Sequence, residues 1–537
     1  MITNISVIKK LAGAAILAAL LFTNCTNLDI KAESELTPDN FPTKAADFEA
    51  AKGIIYTILP ANYAIDYWRL ESLSTDEALI PARDGNWDDG GQYRELHKHT
   101  WTPDNAIVST IWTYAFNGII ACNRVMGMFD AVPEGTLKNQ QFAELRMMRA
   151  FFYFILLDNY GNVPILKKFG DDTPTSPRAD VFAFIESEVK EIAPYLPRAK
   201  NSVTYGRPTV WMAHALLAKL YLNAAVYKGS GGMFNETVAQ CDSVIKSGLF
   251  ALDTDYKSMF LPTNGPAVKE FIFAIVYDAY KITGNSFTRY DLTPELKTKY
   301  GLGSKSPSNC MKTLPEYFDK FNLTGDVRNS TWIVGKQFEF DGKTPITVKT
   351  TYKGLNQDYA GPLSGGRDTI WQLELSKNVW LRYDPSKMDT GNDFLSQYMG
   401  ARSIKFYPDP NWDPNTRSDN NDFPVYRYAD ILMMKAEAIL RGASVTNGET
   451  AVSLVNKIRA RASAPLLSAD PTLDQLLDER VREFAWEAWR RNDLIRFGKY
   501  SGLWLFKDAV SAKTRELFPV PGNELRLNSK LLQNPGY

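Results

Sequence analysis

The sequence predicts a mainly α-helical fold with a loop-rich irregular half that carries short strands. Three observations point there. Apolar residues recur at helical spacing before residue 260 and again after 425. Small residues stand beside large ones from Ala213 to Ala225, which suits helices in close contact. Between these parts, residues 261–424 are rich in Gly, Pro, Asn, Asp and Tyr, with only brief apolar runs such as Phe271 to Ile275.

The elements follow in order. Lys9 and Lys10 precede an uncharged, proline-free run from Leu11 to Phe22, and Cys25 stands just beyond it. Twelve helical residues span about 18 Å, too little for a bilayer core of about 30 Å. A basic end, a short apolar run and a nearby cysteine read as an export signal. Residues 1–24 are thus a lipoprotein signal peptide with lipid attached at Cys25, although Asn24 stands where Gly, Ala or Ser is usual. Residues 25–44 form a polar tether, and Thr37-Pro38-Asp39-Asn40 turns the chain into a helix from Ala45.

Residues 45–260 form a helical scaffold carrying a ligand loop at 72–105. Leu145, Met148, Phe152, Ile155 and Leu156 share one face of a helix over 140–158, which Tyr160-Gly161-Asn162-Val163-Pro164 ends. Val181 to Leu196 is amphipathic and closed by Pro197. The helix opened by Gly206-Arg207-Pro208-Thr209 and the one over Asn235–Ser247 form a repeat-like hairpin of the tetratricopeptide kind, without the full 34-residue consensus. After the irregular region, residues 425–500 return to helix at Tyr428–Leu440, Glu449–Ala462 and Leu473–Phe497, and 501–537 close the chain. In the last helix Asp478/Arg482 and Glu487/Arg491 are spaced as i,i+4 pairs. Arg149, Arg427, Glu437, Glu479 and Arg490 interrupt apolar helices and predict internal ion pairs.

Composition excludes some functions. Lys plus Arg and Asp plus Glu are both 61, so no overall field attracts nucleic acid. Apart from Cys25, Cys122, Cys241 and Cys310 cannot all pair within one chain, and no C-x-x-C occurs. His97-x-His99 is the one metal-like spacing, and it lacks a third ligand in a known pattern; no metal and no cofactor are expected. There is no G-x-S-x-G, phosphate-binding glycine loop or H-E-x-x-H, and the chain reads as non-enzymatic. Aromatic residues are 12 % of the chain, which suits stacking on sugars or peptides once helical packing is served.

Several blocks in order resemble the SusD/RagB family of Bacteroidetes outer-membrane lipoproteins. They are Leu36 to Phe41, Leu145 to Tyr153 running into Tyr160 to Pro164, Ala213 to Leu222, Tyr426 to Ala438, and Glu479 to Gly498. Phe518-Pro519-Val520-Pro521 with Gln533 to Tyr537 ends the series. The resemblance implies a scaffold of four tetratricopeptide-like hairpins bearing a less regular ligand-binding half. It also implies a lipid-anchored, surface-exposed outer-membrane protein that captures a glycan and delivers it to a SusC-like TonB-dependent transporter. The alternatives are a RagB-like peptide-binding lipoprotein and a structural lid of the transporter.

Ligand contacts are expected outside the family's scaffold blocks. Asp76 to Tyr93 is a polar, glycine-bearing loop with Trp87 at its middle. An indole among Asp, Asn and Gly suits the C–H face of a sugar, and its neighbours Asp76 and Arg83 suit paired hydroxyls. The loop lies where the resemblance places part of a glycan platform. Further candidates are Asp66, Cys310, Trp332, Arg382 and Tyr407, among aromatics that include Tyr290, Tyr300 and Tyr398. The balanced charge and the Asp-rich loop favour a neutral glycan, and a likeness of the Trp87 loop and Asn309-Cys310 to fructan-associated members leans to a fructan.

Overall fold

A computed structural model of the chain describes residues 45–130, 132–350 and 369–537. The expected signal peptide, the expected tether and Cys25 lie outside the described residues. No helix among the described residues is long and apolar enough to cross a membrane.

The architecture is mainly helical. Helices α1 (Ala45–Asn62), α2 (Ala106–Met128), α3 (Thr136–Asn159), α4 (Arg178–Ile192), α5 (Val210–Leu222) and α6 (Phe234–Lys246) come first. Helices α7 (Tyr428–Leu440), α8 (Ala451–Arg461), α9 (Leu473–Phe484) and α10 (Arg490–Arg496) follow the irregular region. Four hairpins stack in chain order, α1/α2, α3/α4, α5/α6 and α7/α8, each also touching the next. Side-chain caps define several starts: Asn105 accepts from the amides of Ile107 and Val108, and Thr472 with Gln475 forms a capping box. Gly118 lets α2 approach α3, since a Cβ there would lie 2.3 Å from the Phe152 ring.

The apolar face expected on α3 is wider than the sequence implies. From Met147 to Asn159 every residue is buried, because α3 is enclosed by α2, by α4 and by the ladder that carries Phe273. Residues 473–497 depart further from expectation. The helix stops at Phe484, Trp486 and Ala488 take left-handed φ of 65° and 59°, and α10 begins at Arg490. The break lets the Trp486 amide reach Glu77 and inserts its indole between Trp68 and Trp332. The i,i+4 pairs read from the sequence do not form: Asp478 meets Lys320, Arg482 meets Glu479, Glu487 meets Arg427, and Arg491 bonds main-chain oxygens of Asp158 and Glu516.

Among the described residues the strands form six two-stranded antiparallel pairs. One matters most: β1 (Phe271–Ile275) pairs with β2 (Phe423–Arg427), Phe423 opposite Ile275 and Arg427 opposite Phe271. The irregular segment leaves and returns through this ladder, so its two ends are fixed side by side.

A buried ion network locks the ladder to the helices. The Arg427 guanidinium holds Glu487 at 2.7 Å and Glu270 and Glu483 at 2.9 Å. Arg461 from α8 also bonds Glu270 and Glu483. Arg328, from the irregular region, joins Asp326 and Glu479 at 2.7 Å and Glu483 at 3.1 Å. Burial acts to raise the Glu483 pKa, but Arg461, Arg427 and Arg328 outweigh it and hold the carboxyl far below the usual range. Neighbouring pairs use the other residues expected to be internal: Arg149 with Glu188, Glu437 with Arg496, and Arg490 with Asp76.

Replacing Arg427 by Met removes the one guanidinium that three buried carboxylates, Glu270, Glu483 and Glu487, share. The expected loss is about 3–5 kcal/mol in urea unfolding; a loss below about 1 kcal/mol would show that the network does not hold the halves together.

His97 and His99 are both buried. His97 Nε2 bonds the Leu505 oxygen at 2.7 Å, and His99 bridges the Ser74 oxygen and the Ser511 hydroxyl, each at 2.9 Å. Burial lowers the His97 pKa to about 4, against an unfolded value near 6.5. A depressed base favours the fold above pH 6.5, and that contribution is lost as pH falls towards 4. Between pH 7 and 4.5 the His97→Gln variant should therefore lose less stability than the parent, read as thermal midpoints at both pH values.

Candidate functional site

The site begins at the end of α1. Pro60 lies in its last turn, and there the Tyr277 hydroxyl enters the helical ladder, donating to the Pro60 oxygen at 3.0 Å and accepting from the Ala64 amide at 3.1 Å. The inserted hydroxyl opens the helix into a π turn, Tyr63–Tyr67, before the short helix Trp68–Leu73. Asp66 sits half-buried on that turn and accepts from Asn62 at 2.8 Å and Arg69 at 3.2 Å. Arg69 then lies 4.7 Å from the ring centre of Tyr290 and 5.5 Å from that of Tyr93.

The Trp87 loop meets this cluster. Asp84, Gly85, Trp87, Asp89, Gly90 and Gly91 all have positive φ, so three residues with side chains are held where L-residues are strained. Such strain persists only when the surroundings impose it. Here Arg83 and Asn86 exchange main-chain hydrogen bonds at 2.7 and 3.0 Å, and the Asp389 carboxylate accepts from the Asp84 amide. Arg94 bonds Asp88 and the Lys387 oxygen. The Trp87 indole stays half-buried, edge-on to Tyr290 with ring centres 6.0 Å apart and an interplanar angle of 86°.

Beneath lies the strand-like run 306–313. Arg83 donates to the Ser308 oxygen at 3.2 Å, and the Cys310 amide donates to the Tyr290 oxygen at 3.0 Å. Cys310 is fully buried, and burial pushes its thiol up to about 12, which leaves it a neutral wall rather than a nucleophile. Two more cations edge the cluster: Arg289 lies 4.7 Å from the Tyr290 ring centre, and Arg417 donates to the Ser308 hydroxyl at 3.1 Å.

Asp66, Arg83, Trp87 and Cys310 are therefore brought together, with Cys310 as a covered floor. Arg382 lies on the adjoining loop 380–393, held by Asp393 at 2.8 Å, and that loop joins the Trp87 loop through Asp389 and Thr390. The same loop exposes Trp380 and Tyr383, 44 % and 55 % accessible.

Three expected contacts are placed otherwise. Asp76 is spent on a two-pronged pair with Arg490, at 2.7 and 2.6 Å. Trp332 is a core residue, 6 % exposed and surrounded by Tyr317, Phe318, Phe321 and Trp486. Tyr407 packs edge-on against Tyr300 in a separate small core of the irregular half. Arg69, Tyr93, Arg289 and Arg417 were not expected at the site. The signal in the sequence was the direct adjacency of arginine and aromatic residue in Trp68-Arg69 and Arg289-Tyr290.

Comparison with known proteins supplies the setting. A family model described as "SusD family" matches residues 269–537, and one described as "Starch-binding associating with outer membrane" matches residues 27–222. The starch-binding protein SusD of Bacteroides thetaiotaomicron is 26 % identical, with 99 % of each chain covered. A SusD-like protein of Bacteroides ovatus is 23 % identical over 90 % of this chain and 81 % of its own. Among solved structures, surface glycan-binding protein A from Bacteroides thetaiotaomicron, in complex with laminarihexaose, has a TM-score of 0.68 at 19 % identity, covering 91 % of this chain and 98 % of that one. With half of its length matched by the family's own model and the same helical fold in its structural neighbours, the chain belongs to the SusD family.

Proposed function

We propose that the chain is a non-catalytic glycan-binding protein of the outer membrane that captures an oligo- or polysaccharide and passes it to a SusC-like TonB-dependent transporter. The observation that carries this reading is the half-buried Trp87 indole, set edge-on to Tyr290, bordered by Arg69, Arg83 and Asp66 and mounted on a strained, rigidly tied loop. An aromatic face with polar groups at its rim is the arrangement sugars require. Family relatives support it, since one is named as starch-binding and one solved neighbour holds laminarihexaose. The groups at the site suit binding rather than turnover. Asp66 and Asp389 are tied to Asn62, Arg69 and main-chain amides, and the Cys310 thiol is neutral.

Lipid on Cys25 would tether the protein at the cell surface, with residues 25–44 as the leash. A neutral glycan such as a fructan fits the charge balance of the whole chain; the charges gathered at the site favour another class.

Two measurements test this reading. In calorimetric titration of the full-length protein in detergent against neutral and acidic polysaccharides, Trp87→Ala should weaken binding at least about tenfold, or ~1.4 kcal/mol, with the thermal midpoint little changed. Full affinity in that variant would move the site away from the loop. Expressed in a Bacteroidetes host, Cys25→Ser should lose radiolabelled palmitate and leave the membrane fraction; retention of label would place the lipid elsewhere.

A further inference from the structure

We propose that the glycan taken by this site is acidic, carrying carboxylate or sulfate groups that seat on Arg83, Arg289 and Arg417. This rests on the glycan-binding reading above and specifies its ligand class.

Two of the guanidiniums meet at Ser308, and the third belongs to a residue whose main chain Ser308 bonds; burial and then the Arg289 charge lower the Arg417 pKa. Arg83 donates to the Ser308 oxygen, Arg417 to the Ser308 hydroxyl, and the Ser308 amide donates to the Arg289 main-chain oxygen at 2.6 Å. Arg289 lies against Tyr290, so this cationic edge adjoins the Trp87–Tyr290 pair. None of the three forms an ion pair with a carboxylate among the described residues. Arg83 is only 7 % exposed, and its Nε has no hydrogen-bond partner; the buried Nε of Arg289 has none either. An arginine fork presents donors in a plane that matches carboxylate and sulfate oxygens.

The surroundings do not neutralise this charge. Below it, Lys312 and Arg402 are fully buried, and their partners are the side-chain oxygen of Asn309 and main-chain oxygens of residues 396–400. Burial drives the Arg402 pKa down to about 9 and, aided by Arg402 and Arg83, holds the Lys312 pKa well below its usual value. The nearby acids are engaged by other groups or have raised pKa values. Asp66 is on Arg69, Asp88 on Arg94, Asp393 on Arg382, and Asp389 on main-chain amides. Burial raises the Asp291 pKa well above its normal range and the Asp419 pKa to about 8, so both are weakened as counter-ions. Asp84 and Asp89 are exposed on the loop and form no ion pair with the three arginines. A neutral sugar would use the aromatic faces and leave these cations facing each other, whereas an anionic substituent compensates them.

The test uses the full-length protein in detergent with polygalacturonate as the carboxylated probe, κ-carrageenan as the sulfated probe, and laminarin and inulin as neutral probes. Affinities are measured at 50 and 500 mM NaCl for the parent, Arg289→Gln, Arg417→Gln and Trp87→Ala, each checked for an unchanged thermal midpoint. Polygalacturonate or carrageenan should bind, weakening roughly 10- to 100-fold in each arginine variant and at least severalfold at high salt; which of the two binds identifies the group. Laminarin or inulin bound equally well by parent and arginine variants would overturn the acidic class and leave the glycan-binding function standing. Acidic polymers bound with salt sensitivity but indifferent to all three variants would mark non-specific adsorption and also overturn it. Silence towards every probe would remove the glycan-binding reading itself.

Discussion

Glu483 is the point where the two halves of this protein are tied together. It lies in α9, and its carboxylate takes Arg427 from the strand ladder, Arg461 from α8 and Arg328 from the irregular region. Removing such charges from water is costly, and the cost is recovered only when every member has partners in good geometry. Around Glu483, Asp326 is met by Arg328 and Glu270 by Arg427, while Lys405 also meets Glu487, and Arg459 and Arg482 also meet Glu479. The result is specific as well as cohesive. An apolar contact would tolerate sliding, but a fork of paired oxygens accepts one alignment of ladder against helices.

That alignment places the proposed binding surface. Trp486, displaced from a helix that breaks beside Glu487, fills the space between Trp68 and Trp332. Trp68 opens the short helix that carries Arg69, and the π turn before it is held by Tyr277, which follows the ladder closely. The Trp87 loop is in turn fastened by Asp389 and Thr390 from the far end of the irregular segment. Three distant stretches of chain thus reach one surface because the ladder has already brought their supports together. Strain at Trp87 is sustained by these ties, which hold the indole in one position.

The charges of the site and of the whole chain tell different stories. Sixty-one cations balance sixty-one carboxylates over the sequence, but many of the carboxylates are consumed inside the scaffold, where they meet arginines from other helices. At Ser308 the side chains of Arg83 and Arg417 meet without such partners among the described residues. Net charge describes solubility and long-range steering; it does not describe a site whose local balance is decided by which side chains the fold brings into contact.

By itself, the sequence determined the class of fold and the scale of its parts. Apolar spacing in Leu145 to Leu156 and in Tyr428 to Leu440, together with the punctuation at Tyr160 to Pro164, follows from local periodicity and turn chemistry, which act over a few residues and are legible in order. The family blocks were legible for the same reason. What only the tertiary structure decided was the destination of each polar side chain. Asp76 and Arg490 are 414 residues apart, so nothing local distinguishes a carboxylate awaiting a ligand from one already paired. Trp332 reads as an available aromatic until Trp486 leaves its helix to cover it, and Arg289 and Arg417 share a site only because Ser308 lies between them. Periodicity records which face of an element is apolar; long-range contact decides which polar groups remain to meet something outside the protein.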